Sequence, residues 1–263
     1  MLTRVTALEF TRAAKNGRTR PVMLVCADAA GVEVELYAKL SARCEQGPAN
    51  LAREVIAACL AGDLGLPVPQ PFLVDLPADW VASVPDADIR SAMASSVPVA
   101  FGSRIAGPQF AAWNAGVTLR PEMVGTALAI FTFDAIIQND DRQDGNPNCL
   151  VMGEHLRIID HELAFSHKLI IGWQPPWKPG ALQRFMTPGK HIFRGKLSKQ
   201  TLDFAPIRAA WSALSDGRVD GYSTALPAEW AAAAVEIAAA IRLIKDARDH
   251  IDGCLAEVQR VLT

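Results

Sequence analysis

A dense cluster of polar residues follows the apolar middle of this chain. Residues 139–148 contain three Asp, three Asn and one Arg, and they come directly after an apolar stretch with helical character. Carboxylates and amides at this density repel one another and compete for water, so a fold accommodates them in an exposed turn or around a cation. Because Asp, Asn and Gly are also common turn residues, the cluster alone leaves both interpretations open.

The first part of the chain predicts strands and one helix. Four stretches rich in β-forming side chains are predicted to contain strands: residues 21–27, 32–40, 66–77 and 97–104. The turn sequence of residues 28–31 predicts that the first two strands form an antiparallel hairpin. Residues 50–61 have helical periodicity, with Asn50 as the N-cap and an end at Gly62 or Gly65.

The second part is predicted to be mainly helical. Pro121 fits the first turn of a helix that stops at Asn139. A brief strand is expected over residues 157–160. From Trp230 onward, apolar residues recur at helical spacing to the end of the chain, which indicates either a helix packed on its own domain or a dimerising coiled coil.

Together these elements predict an α+β fold with two lobes in one domain. We place a small β-rich lobe at residues 1–104 and a mainly helical lobe at residues 105–263, with the boundary in a glycine-containing link. Residues 78–96 show no strong pattern of either kind.

The overall composition excludes several classes of protein. The formal net charge of −2 gives no general attraction to nucleic acid. Five widely separated cysteines without a CxxC pair indicate reduced thiols rather than a disulfide framework or a zinc site. The longest uncharged apolar run is about half of the ~20 residues that a membrane-spanning helix needs. These features predict a cytoplasmic protein without a membrane span, and they leave the oligomeric state open.

The spacing of acidic and amide residues favours the cation interpretation. Asp141 is followed five residues later by Asn146, and Asp160 stands at the end of the next predicted strand. Phosphoryl-transfer enzymes use this spacing, with one Asp at the acceptor hydroxyl and an Asn and an Asp on magnesium. Lys39, at the end of a predicted strand, and Glu54, on the next helix, match the pair that holds the nucleotide phosphates.

These residues also carry a family resemblance. The segments FDAIIQNDDRQDGNPNCL, IIDHELAF and REVIAACLAGDLGLPVPQP resemble the catalytic loop, the metal-binding strand end and the helix segment of compact HipA-like kinases. This family is a branch of the phosphoinositide-3/4-kinase-like superfamily, and the resemblance covers residues 15–170. It implies a two-lobed protein-kinase-like fold that binds ATP and Mg²⁺.

The resemblance implies a role for each matching residue. Asp141 is the expected catalytic base, Asn146 and Asp160 are the expected magnesium ligands, and Lys39, oriented by Glu54, is expected on the ATP phosphates. In the loop of residues 16–20, Gly17 is the one glycine that could let the backbone approach those phosphates, and the side chains of residues 18–20 are alternatives. We interpret Arg142 as structural, pairing with a loop carboxylate, and His161 as a hydrogen-bond partner near the metal.

The phosphoryl acceptor is less constrained by the sequence. Residues 166–200 contain seven Lys or Arg and no acid, which indicates either a solvated loop or a segment that receives a protein or phosphate-rich substrate. A protein Ser or Thr is the simplest acceptor. A phosphoinositide or small-molecule kinase and a non-catalytic nucleotide-binding module remain as alternatives.

Overall fold

Strand pairing organises the N-terminal region. In the computed structural model, which describes residues 2–14 and 17–263, five strands form a closed barrel in the order β1-β2-β3-β5-β4. These strands are β1 (Thr3–Ala13), β2 (Val22–Ala27), β3 (Glu33–Lys39), β4 (Pro71–Asp75) and β5 (Val99–Arg104). The predicted hairpin is confirmed, with Val22 opposite Ala38 and Ala27 opposite Glu33 in an antiparallel register.

Strand β1 was not predicted from the sequence. Register shifts between Ala7 and Glu9 and between Phe10 and Arg12 break the alternation of apolar and polar side chains that identifies a strand. The strand pairs antiparallel with β2 and parallel with β4, so that it closes the barrel. The predicted first strand is therefore the second strand of the chain, and the loop containing Gly17 connects two strands rather than preceding the first.

The barrel interior is closely packed. At Gly102 in β5, an added Cβ would lie 2.6 Å from Cγ2 of Val74 and 3.2 Å from a methyl group of Leu36. Glycine at this position therefore lets two strands and a leucine side chain approach one another. Two short helices, α2 (Ala78–Ser83) and α3 (Ala87–Ala94), cover the barrel where the sequence showed no strong pattern.

The helix that carries Glu54 begins earlier than predicted. Helix α1 (Pro48–Asp63) has Gly47 at its N-cap, so the prediction of Asn50 as N-cap is wrong. Proline at the first helical position lacks the N–H that would otherwise need a capping partner. The Asn50 side chain instead accepts a hydrogen bond from the Gln46 N–H and donates one to the Glu162 carbonyl. The helix reaches its end just before Gly65, which has a left-handed φ of 72°.

The rest of the chain is mainly helical, as predicted. Helix α4 (Pro121–Ile137) is exposed at its first two residues and fully buried from Ile130 to its end. The next residue, Gln138, has a left-handed backbone that turns the chain into residues 139–148, which we call the polar loop. A small antiparallel sheet consists of β6 (Ala111–Ala112), β7 (Cys149–Met152) and β8 (His155–Ile158). The remaining helices are α5 (Arg194–Leu197), α6 (Ala205–Ser212), α7 (Asp216–Thr224), α8 (Ala234–Asp249) and α9 (Ile251–Leu262).

The C-terminal apolar stripe packs on its own domain. The chain bends at His250, which separates α8 from α9. Ile244, Leu255 and Val258 are buried against α4 and its neighbours in the core of the helical region. The stripe is therefore used within the chain, which favours the packing interpretation over the coiled coil.

Helix α1 joins the two regions. Its residues Ile56 and Leu60 belong to the helical core, whereas Leu51 and Val55 pack with Leu73 of the barrel. Near the start of the C-terminal helices, the buried Trp230 packs in the same cluster, and its indole N–H donates a 2.9 Å hydrogen bond to the Val99 carbonyl. A residue on α1 is thus held against both halves of the molecule.

All five cysteines are free, as predicted. Four of them are buried and Cys59 is half-buried. Burial raises the pKa of the Cys26 thiol to about 12 and that of the Cys59 thiol to about 11, so both stay protonated at neutral pH.

Within the described residues, none of the helices alone has the length and apolar character needed to cross a membrane. One pair of segments, Asp216–Thr224 and Ala228–Asp249, meets the length and composition requirement only when joined across a bend of 112°.

Candidate active site

A cleft of about 430 Å³ lies between the barrel and the helical region. Its walls are mostly apolar and include Val68, Phe101, Phe110, Leu150 and Ile158. Charged residues from three elements meet at one part of its lining: Lys39 from β3, Glu54 from α1 and Asp160 from the segment after β8. The cleft therefore combines a surface suited to a flat apolar group with a strongly polar end.

Three carboxylates surround the ammonium group of Lys39. Its Nζ lies 2.5 Å from Oε1 of Glu54, 2.6 Å from Oδ1 of Asp160 and 2.8 Å from Oε2 of Glu162. We call these four residues the Lys39 cluster. The lysine is buried, and although desolvation opposes ionisation, the charges of the three acids raise its pKa well above the usual value. The cluster thus holds one positive charge among three acids.

Glu54 is the most deeply buried acid of the Lys39 cluster. Its Oε2 accepts a 2.9 Å hydrogen bond from the His161 backbone N–H, so the carboxylate links α1 to the segment that follows β8. Burial raises the Glu54 pKa to about 7, against the opposing effect of Lys39. The structure brings Lys39 and Glu54 together as the sequence predicts.

Asp160 adopts a backbone conformation that non-glycine residues rarely use. Its φ is 61°, and its carboxylate points toward Lys39 while retaining 32% side-chain exposure. Burial opposes ionisation of this group, but Lys39 prevails and lowers the Asp160 pKa below its usual value. Asp160 is therefore an ionised carboxylate at the boundary between the protein interior and the cleft.

Asp141 lies on the polar loop with its carboxylate held by two amides. Asn146 Nδ2 donates a 2.8 Å hydrogen bond and Asn148 Nδ2 a 2.9 Å hydrogen bond to its Oδ2. Burial raises the pKa of Asp141, and the nearby Asp160 adds to this effect, while the amides oppose it. An oriented carboxylate with a raised pKa is suited to accept a proton.

Arg142 anchors the polar loop to the protein interior. Its guanidinium is fully buried and binds Asp134 of α4 at 2.6 Å, His161 at 3.0 Å, and the carbonyls of Asn148 and Ile159. His191 also contacts Asp134, at 3.1 Å. We call Arg142, Asp134, His161 and His191 the Arg142 cluster. Arg142 is structural, as predicted, but its partner is a helix residue rather than a loop carboxylate.

The protonation states of the Arg142 cluster follow from its burial. Despite burial, the charge of Arg142 lowers the pKa of Asp134 well below its usual range. Burial lowers the pKa of His161 to about 3 and also lowers that of His191, so both rings are neutral at pH 7. The cluster is balanced, with one positive and one negative charge.

The residues available to a metal differ in part from those predicted. Carboxylate oxygens of Glu54, Asp160 and Glu162 lie within 4.8 Å of one another, and hard oxygens of this kind are the donors that Mg²⁺ prefers. The Asn146 amide nitrogen is used by Asp141, which leaves its carbonyl oxygen as the possible ligand. The donor chemistry around Asp160 therefore fits magnesium, while the pairing of Asn146 with Asp160 stays a prediction.

Gly17 lies in the loop between β1 and β2 with a φ of 104°. Residues 15 and 16, part of the predicted phosphate loop, lie outside the described residues. Ala14 and Pro21, on either side of the loop, line the cleft. Of the three alternative phosphate ligands, Arg18 pairs with Glu45 and Arg20 with Asp88, both surface acids, and Thr19 is buried.

Sequence reasoning missed two residues that contact the predicted site. Glu162 stands two positions after Asp160 and reaches the same ammonium group, and Asn148 stands two positions after Asn146 and reaches the same carboxylate. In both cases the sequence held a usable signal. The missed residue is polar and stands two positions after a residue that was already predicted to be in the site.

Three of the seven basic residues in the segment 166–200 form internal contacts. Arg184 binds Asp140 at 2.8 Å, Arg194 donates to the Val261 carbonyl, and Lys196 donates to the Val117 carbonyl. Trp173 donates a hydrogen bond to the Gln138 side chain, and Trp177 stacks on a histidine of the C-terminal helices. These three positive charges are thus structural, and the other four basic residues of the segment are the ones that could meet a substrate.

Comparison with known families identifies the family of the chain. A lysine and an acid pair at the polar end of an apolar cleft, with an aspartate on a neighbouring loop, are typical of kinase-type phosphotransferases. Residues 7–258 match the model of the family described as HipA-like kinase. The chain therefore belongs to the HipA-like kinase family, and the resemblance seen in the sequence is confirmed. No curated protein matches this chain.

Proposed function

We propose that this chain transfers the γ-phosphoryl group of ATP, with Mg²⁺, to the hydroxyl group of a Ser or Thr residue in a protein. One observation carries the proposal: residues 39, 54 and 160, far apart in sequence, converge around one ammonium group beside an apolar cleft. In a kinase this arrangement positions and neutralises a triphosphate. A two-lobed organisation, with the barrel above and the helical region below the cleft, is part of the proposal.

Each residue of the cleft has a role in this proposal. The apolar walls near Val68 and Phe101 receive the base, and Lys39, oriented by Glu54, binds the phosphates. Asp160 holds the metal, with Asn146 as the predicted second ligand and Glu162 as a further carboxylate within reach. Bound MgATP supplies the phosphoryl group and the divalent charge that neutralises it.

The acceptor hydroxyl is deprotonated by Asp141 in this mechanism. A bond forms between the acceptor oxygen and the γ-phosphorus, the bond to the β,γ-bridging oxygen breaks, ADP leaves, and Asp141 takes the hydroxyl proton. The raised pKa of Asp141 supports this role, since a carboxylate that is too acidic would be a weak base. The Arg142 cluster, directly behind the loop, keeps Asp141 in position.

Replacing Asp141 tests the proposal. We expect Asp141→Asn to lower phosphoryl transfer by about 10²- to 10⁴-fold, the usual contribution of general base catalysis. The measurement is ³²P transfer from labelled ATP to a protein fraction and, in parallel, to a small-molecule fraction of a cell lysate, with autophosphorylation as a third readout. Asp144→Asn, at an exposed residue of the same loop, is the matched control.

The outcomes separate the alternatives. Label in the small-molecule fraction alone would replace the Ser/Thr acceptor with a small molecule or a phosphoinositide. MgATP raising the Tm of the wild-type protein with no transfer in any fraction would mean a non-catalytic nucleotide-binding module. A cytoplasmic setting is also part of the proposal, supported by the five free cysteines.

A further inference from the structure

A second cavity lies on the side of the polar loop that carries Asp141. It measures about 350 Å³ and is bordered by Arg53 of α1, by Asp140 and Asp141 of the loop, and by Leu163 and Lys190 of the segment after Asp160. We call it the acceptor pocket. None of the residues of the Lys39 cluster lines it, so it is separate from the apolar cleft.

Arg53 is an unusual residue in this pocket. It is only 4% exposed, its Nε is buried without a hydrogen-bond partner, and among the described residues its guanidinium forms no ion pair. The nearest acidic influence comes from Glu236 on α8, which attracts the guanidinium without forming an ion pair with it. A buried cation without a partner is costly and calls for an explanation, and a bound anion would supply the missing partner.

Lys190 supplies a second uncommitted positive charge. It is half-buried, and within the part of the chain that the structure describes its ammonium group forms no ion pair. The other acids of the pocket are already neutralised: Asp140 binds Arg184 at 2.8 Å, and Glu45 binds Arg18 at 3.0 Å. As far as the described residues show, the pocket therefore offers two cations without an ion pair beside the Asp141 carboxylate, which accepts hydrogen bonds from two amides but forms no ion pair.

From these contacts, and resting on the proposed function, we infer that the protein acceptor carries an anionic group beside its Ser or Thr hydroxyl, and that Arg53 and Lys190 bind this group. The anion is a carboxylate or a phosphate, that is, an acidic or an already phosphorylated residue of the acceptor. Arg favours such groups because its planar N–H donors match the oxygen pairs of both. Binding the anion there places the neighbouring hydroxyl next to Asp141.

Synthetic peptides test this inference. Each peptide contains one central Ser as the only free hydroxyl side chain, and its flanking residues are Glu, phosphoserine, Gln or Lys. In the wild-type protein we expect kcat/KM for the two anionic peptides to exceed that of the Gln peptide by about tenfold, the effect of one hydrogen bond to a charged group. The Glu and phosphoserine arms distinguish the two anions.

Variants assign the effect to the two cations. We expect Arg53→Gln and Lys190→Gln each to reduce the preference to about twofold or less, through KM for the peptide and with KM for ATP unchanged. Arg53→Lys restores part of the preference. Lys199→Gln, at an exposed lysine of the same basic segment, leaves it intact. If Arg53→Gln does not fold, as judged by its Tm, Lys190→Gln decides the question.

Two results would overturn the inference. One is a wild-type protein that uses the Gln or Lys peptide as well as the anionic peptides, and the other is a preference that survives in Lys190→Gln. Isothermal titration calorimetry with the same peptides and the wild-type protein, without ATP, measures anion recognition independently of phosphoryl transfer. Autophosphorylation of the wild-type protein reports on kinase activity separately, so the failure of one idea is distinguishable from the failure of the other.

Discussion

The Lys39 cluster and the Arg142 cluster are two buried charge networks that meet at neighbouring residues, Asp160 and His161. The Arg142 cluster is electrically balanced and sealed, because Arg142 and Asp134 have no exposed side-chain surface. The Lys39 cluster has an excess of acids over its one ammonium group, and Asp160 remains partly exposed to the cleft. The difference indicates a fixed support beside a site that has room and charge for a cation.

The largest loss of stability is expected when the Arg142 cluster is broken. Asp134→Ala leaves the Arg142 guanidinium buried without its carboxylate, so the free energy of unfolding should fall by about 3–5 kcal/mol. Urea denaturation followed by circular dichroism measures the loss. Asp252→Ala removes an acid from an exposed pair with Arg208 and should cost less than about 1 kcal/mol. Equal losses in the two variants would show that burial of the pair does not matter.

A smaller loss of stability, and one that depends on Mg²⁺, is expected when the Lys39 cluster is broken. Lys39→Met leaves three acids close together, but the exposure of Asp160 lets water screen them, so we expect a loss of about 2 kcal/mol, or ~4–8 °C in Tm. Mg²⁺ should recover most of this loss and should stabilise the variant more than the wild-type protein.

Thermal melting in EDTA and in Mg²⁺ makes this comparison. Lys199→Met, at an exposed lysine, should melt like the wild-type protein in both conditions. A Lys39→Met variant that is indifferent to Mg²⁺ would contradict the idea that the acids of the Lys39 cluster form a cation site.

The smallest effect concerns pH and the Arg142 cluster. Burial lowers the His191 pKa in the folded state, so below the unfolded value of about 6.5 the unfolded chain binds a proton that the folded chain does not. Stability should therefore fall as the pH drops below that value, by at most about 1.4 kcal/mol per pH unit from this ring.

Two variants test whether the His191 imidazole causes this pH dependence of stability. His191→Gln retains a hydrogen-bond donor for Asp134 but does not titrate, so its stability should depend less on pH between pH 6.5 and 4.5 than that of the wild-type protein. His155→Gln, at an exposed histidine, should keep the wild-type dependence. Urea midpoints at several pH values provide the measurement, and identical profiles for His191→Gln and the wild-type protein would rule out this role.

The two networks were not equally predictable from the sequence. Lys39, Glu54 and Asp160 could be identified because a lysine at a strand end, an acid on the next helix and an acid after a later strand follow a fixed order along the chain. The contacts of Asp134 with Arg142 and with His191 could not, because nothing in the spacing of residues 134, 142 and 191 distinguishes a buried partner from a surface one.

Local backbone events set a further limit on prediction. The irregular register of β1 hid a whole strand, and the proline at the start of α1 moved the helix start ahead of Asn50. The coarse fold, with strands first and helices afterwards, was still predicted, because composition over long windows averages out such irregularities.

Pairing of β1 with β4 closes the barrel and has a consequence for how partners bind. An open sheet presents unpaired N–H and C=O groups along its outermost strand, to which an extended peptide can add. In this barrel each of the five strands pairs on both sides, so none has a wholly unpaired edge. A protein that contacts this barrel therefore meets mainly side chains, which places selectivity on pockets and charges rather than on main-chain pairing.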